Sequence, residues 1–151
     1  MKTFIAFLVS FLTFGLNNAY AAIGSWEGLQ SPGNAVYEIE DENGNSLSIN
    51  CDTATTNRKF YGRMVWYYGE PVGSTNAEDN EMSIAVNGKK YIIPTIDGSD
   101  KAEKAWVAFA NAIGNAKSFN VVINGNEAAN FTVDGERLPE TFFKNCGHSR
   151  P

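Results

Sequence analysis

The chain holds 151 residues, with 12 basic and 17 acidic side chains, a formal net charge of −5 and one histidine. At 43% hydrophobic and 19% charged it is globular rather than disordered, and its length suits one domain. The acidic balance argues against nonspecific nucleic-acid binding, and two cysteines are too few for a disulfide-dense miniprotein or a four-cysteine zinc site.

The first segment reads as an address label. Lys2 gives a positive start, Phe4 to Leu16 is an apolar run, and Ala19-Tyr20-Ala21 supplies a small-x-small cleavage pattern. The run is shorter than the roughly 18–20 residues needed to span a bilayer. We therefore expect a secretory signal peptide over 1–21, cut after Ala21. A single exported domain over 22–151 follows, periplasmic or secreted and without stable membrane insertion. Export would expose Cys51 and Cys146 to an oxidising compartment, where they would pair and close a long loop.

Strand and turn signals fill most of the remaining chain. Val36 to Asp41 and Ser46 to Cys51 flank Asn43-Gly44. A three-residue loop, Glu42-Asn43-Gly44, sets Ile39 opposite Leu47 and Tyr37 opposite Ile49, so the apolar faces coincide. Phe60 to Tyr68 is an aromatic run, and Gly69 to Glu81 is a polar candidate linker. Met82, Ile84 and Val86 alternate up to Asn87-Gly88, which as a two-residue turn pairs Val86 with Lys89 and Ile84 with Tyr91. Asp100 is placed to cap a helix with Glu103 as the return arm of a capping box. Trp106, Phe109, Ala110 and Ile113 give that helix its apolar face, and Gly114 fits its stop. Strands follow at Phe119 to Ile123 and Ala129 to Val133, and Pro139 opens a helical turn that ends at Cys146. The expected fold is α+β and mainly β. It comprises a curved antiparallel sheet or sandwich, one packed amphipathic helix and a short C-terminal helical turn, pinned by one disulfide.

Chemistry-bearing motifs are sparse. His148 sits in the C-terminal tail, no nucleophile elbow occurs, and no phosphate-cradling loop is present. Asp41-x-Asn43-x-Asn45 partly matches a calcium loop, but Ser46 and Asp52 stand where such a loop needs glycine and a bidentate glutamate. We expect no catalytic residues, metal or cofactor. Two features suit binding. Tyr61, Arg63 and Tyr67 would form a contact patch if one face of the aromatic strand is open. Glu70, Glu78, Asp79 and Glu81 give the following loop an acidic character that suits a basic cleft on a partner.

Gly24-Ser25-Trp26, Leu47-Ser48-Ile49-Asn50-Cys51 and Phe131-Thr132-Val133-Asp134-Gly135, followed by Leu138 and Cys146, resemble small exported proteins of the type VI secretion-associated TagO/VasI kind. The likeness to the invasion-associated locus B kind is looser. The acidic loop and the Asp100 helix depart from that pattern. The resemblance implies a disulfide-pinned exported domain without catalytic residues, serving as a secretion accessory. The expected function is thus noncatalytic recognition of an envelope protein. One alternative is an immunity or inhibitor protein that blocks a cell-wall-attacking, lysozyme-like toxin. Another is a small secreted hydrolase using carboxylates.

Overall fold

The computed structural model describes residues 22–54, 62–95 and 98–147. The expected signal segment over 1–21, Tyr61 and His148 lie outside the described residues. The fold is mainly β. One antiparallel sheet holds β1 (Glu27–Ser31), β2 (Asn34–Glu40), β3 (Ser46–Asp52), β4 (Arg63–Gly69) and β5 (Gly73–Asn76), in that order. The other runs β7 (Lys89–Ile92), β6 (Met82–Val86), β8 (Ser118–Ile123), β9 (Asn126–Thr132).

Register follows from turn chemistry. Ile39 pairs with Leu47 and Tyr37 with Ile49 across the three-residue loop, with Gly44 at φ 79°. Val86 pairs with Lys89 and Ile84 with Tyr91 across Asn87-Gly88, where both residues have positive φ. Tyr37, Ile39, Leu47, Ile49, Val65 and Tyr67 from the first sheet join Ile84, Phe119, Val121 and Phe131 from the second in one buried core.

Helix α1 (Asp100–Asn115) lies against β6 and β7 and buries Trp106, Phe109, Ala110 and Ile113. Its start differs from the sequence expectation. Ser99 is the N-cap, its side chain accepting from the Ala102 N–H at 3.1 Å, and Glu103 points elsewhere. Its end differs too. The helix continues to Asn115, and Gly114 is an interior residue whose missing Cβ makes room for the Phe143 ring.

The chain closes through α2 (Glu140–Phe142) and a π-helical turn over Phe143–Gly147. Cys146 bonds to Cys51 on β3, with Cα atoms 5.6 Å apart and both residues fully buried. Among the described residues no helix is long and apolar enough to cross a membrane.

Candidate functional site

The stretch from Gly69 to Glu81 is not one long linker. β5 occupies its middle and leaves a tight turn over 70–72 and a short loop over 77–81. The four expected acidic contacts therefore separate. Glu70 sits in the β4–β5 turn, while Glu78, Asp79 and Glu81 share the second loop.

That loop is held by asparagines. Asn76, buried at the end of β5, accepts from the Glu78 and Asp79 N–H groups at 2.8 and 3.0 Å. Its amide donates to the Asp79 carboxylate at 2.8 Å. Asn80 donates to the Thr75 hydroxyl at 2.6 Å and accepts from the Asn124 amide at 2.6 Å. Asn124, in the β8–β9 turn, also accepts from the Glu81 N–H at 3.1 Å and donates its own N–H to the Glu81 carbonyl at 2.9 Å. Side chains that satisfy loop backbone in this way fix the course of the loop, and Asn76 also holds the Asp79 carboxylate. The sequence signal for this scaffold is the Asn76-x-x-Asp79 spacing together with Asn124-Gly125.

The three carboxylates rim a groove of about 520 Å³. Its floor is apolar, from Ala77, Ile92, Ile93, Pro94, Ala102 and Ala105. The facing wall is the first turn of α1, with Ser99 and Lys101. Glu81 also pairs with Lys90 at 3.0 Å on the surface, a contact worth little by itself.

The expected aromatic contact patch needs correction. Arg63 and Tyr67 are buried. The Arg63 guanidinium donates to both Glu103 carboxylate oxygens, at 2.8 and 3.4 Å, and lies 5.3 Å from the centre of the Trp106 ring. It locks β4 to α1 rather than facing solvent. The Tyr67 hydroxyl donates to the Glu70 carbonyl at 2.8 Å. Burial pushes its phenol pKa above the ordinary 10.0, and the nearby Asp41 and Glu70 charges push the same way. Strand β4 presents its other face outward, with Met64 and Trp66 half-buried and Tyr68 exposed.

A second hollow of about 270 Å³ lies beside the β2–β3 turn, with Asp41, Glu42, Asn130 and Asp134 on its lining. Asp41 uses one carboxylate oxygen for the Asn43 and Asn45 N–H groups and the other for the Asn45 amide. Hairpin geometry thus accounts for the partial calcium-loop spacing. Among the described residues no group of three or more His, Cys, Asp or Glu could hold a metal ion.

Comparison with known proteins gives two relatives in Escherichia coli (strain K12). The uncharacterized protein YkfB is 29% identical over 119 residues, covering 78% of this chain and 77% of its own length. The uncharacterized protein YfjT is 25% identical over 136 residues, covering 89% of this chain and 88% of its own. No solved structure gives a significant match. The YfjT family model matches residues 24–137, which takes in all nine strands of the described residues, α1 and the acid-rimmed groove and stops short of α2 and Cys146. On that match the chain belongs to the YfjT family.

Proposed function

We propose that this protein is a noncatalytic binding protein of the bacterial envelope, and that its groove receives a lysine- or arginine-bearing segment of a protein partner. The observation that carries this reading is that Glu78, Asp79 and Glu81 line the groove together with apolar Ile92, Ile93 and Pro94. A long cationic side chain matches that arrangement, with its aliphatic stem on Ile92 and Pro94 and its charged head at the rim. A loop already ordered by Asn76, Asn80 and Asn124 loses little entropy on binding.

Carboxylate hydrolysis needs two acids flanking the scissile bond. Here all three acids stand on one wall, and the facing wall presents Ser99, Lys101 and Ala102. A toxin-plugging inhibitor needs an acidic element that protrudes, whereas these acids border a concavity. The closed Cys51–Cys146 bridge supports export to an oxidising compartment such as the periplasm. An accessory role beside a secretion system is the biological form we assign to this binding.

The test is affinity capture of the tagged, oxidised protein from the periplasm of the producing cell. A matched variant carries Glu78→Lys, Asp79→Lys and Glu81→Lys. We expect one specific protein on the wild type and its loss from the variant, with both showing the same thermal unfolding midpoint. Equal recovery by the two, or no specific protein, would overturn the proposal.

A further inference from the structure

The outer face of the five-stranded sheet carries a second arrangement, distinct from the groove. Paired residues of an antiparallel sheet point to the same face. One row on that face runs Glu27, Glu38, Ser48, Trp66, Asn76 from β1 to β5, with Ser48 and Asn76 buried within it. A neighbouring row runs Glu40, Ser46, Tyr68, Ser74 from β2 to β5. Strand β3 thus sets two serines between an aromatic strand and an acidic one. Strand spacing puts Trp66 and Tyr68 roughly 10 Å across from Glu38 and Glu40 at the backbone. Ser48 is buried, 6% exposed, while Tyr68 is 42% exposed. The Trp66 and Tyr68 rings are nearly parallel, 15° apart with centroids at 6.0 Å. Among the described residues of these two rows there is no Lys or Arg.

We propose that this face binds an arginine side chain of a partner protein. The guanidinium would stack on the Trp66–Tyr68 pair while its N–H groups donate to Glu38 and Glu40. A guanidinium is planar, weakly hydrated and forked, so one group can satisfy a ring face and a carboxylate together. A lysine ammonium has no plane to stack. Glu38 and Glu40, with no Lys or Arg on these rows, favour a cationic occupant. They also disfavour a second copy of the same face, which would set like charges together. None of Glu38, Glu40, Trp66 and Tyr68 lines the groove, so the two sites succeed or fail separately.

Trp66 supplies its own readout. The other two tryptophans, Trp26 and Trp106, are 4% and 1% exposed, so a ligand in solution reaches Trp66. The oxidised full chain is titrated with a tetra-arginine amide and its tryptophan emission followed. We expect a saturable change. Glu38→Gln with Glu40→Gln should weaken it by about tenfold, and the groove variant with three lysines should leave it unchanged. Calorimetry on Trp66→Ala, made in the groove variant so that only this face can bind, should show a similar loss. Equal affinity for tetralysine would reduce the effect to charge attraction and overturn the proposal. So would chitotetraose binding that needs Trp66 but not the carboxylates, which would make this a glycan surface. No saturable change, or loss of binding in the groove variant, would also overturn it.

Discussion

Tyr67 and Arg63 are residues whose types suit an interface and whose neighbours assign them to the core. The aromatic run alternates Arg63, Val65, Tyr67 with Met64, Trp66, Tyr68, and both sets carry large apolar groups. Alternation therefore cannot choose the buried face. The choice is made by partners distant in sequence: Val65 pairs with Ile49, and Arg63 finds Glu103, forty residues on, and Trp106 one turn further. The same burial makes Tyr67 testable. Its folded phenol holds the proton more tightly than the unfolded one, so the folded state binds more protons above pH 10. The corresponding stability is complete below the unfolded value of 10.0 and is lost as pH rises through the higher folded value. Tyr67→Phe should remove this alkaline loss, read by denaturant unfolding between pH 9 and pH 11. At neutral pH it should cost about 1 kcal/mol for the hydrogen bond to the Glu70 carbonyl. An unchanged alkaline limb would mean that other groups govern it.

Helices and hairpins were legible where local chemistry sets them. Asn87-Gly88 and Glu42-Asn43-Gly44 fix two registers because positive φ at the turn leaves one pairing that keeps the apolar faces together. Strands β1 and β5 were not legible, since Glu27–Ser31 and Gly73–Asn76 lack apolar alternation and form as edges on a sheet already present. The acidic groove was half legible. Its charges show in the sequence, but the separation of Glu70 from Glu78, Asp79 and Glu81 depends on β5. In α1 the competition was between two adjacent capping residues. Asp100 fits the capping-box spacing, yet Glu103 is drawn to the Arg63 guanidinium and the cap falls to Ser99. Ser99→Ala should therefore cost about 1 kcal/mol, while Asp100→Ala should cost clearly less, as a first-turn charge near the helix N-terminus. Urea unfolding midpoints of the two variants decide this, and the reverse order would restore Asp100 as the cap.

The disulfide joins the first sheet to the end of the chain, across a sequence separation of 95 residues. Loop-closure entropy values such a link at roughly 4–5 kcal/mol, nearly all through the unfolded chain. The folded side does not depend on it for position. Phe142 packs edge-on against Tyr37 at 5.2 Å, and the Trp106 indole N–H donates to the Cys146 carbonyl. Cys51→Ala with Cys146→Ala should therefore still fold to the same near-ultraviolet spectrum but lose about 4 kcal/mol in guanidinium unfolding. Its m-value should rise, because an uncrosslinked denatured chain exposes more surface. Both cysteines are fully buried, so reduction of the native protein should proceed only as fast as the C-terminal turn opens. Domains of this size hold about 5–15 kcal/mol in all. The variant, or the wild type kept in a reducing compartment, should then lose a large share of its stability and be degraded faster by proteolysis. An unshifted unfolding midpoint would show instead that the chain is stable without the link, and the case for export drawn from that bridge would fall with it.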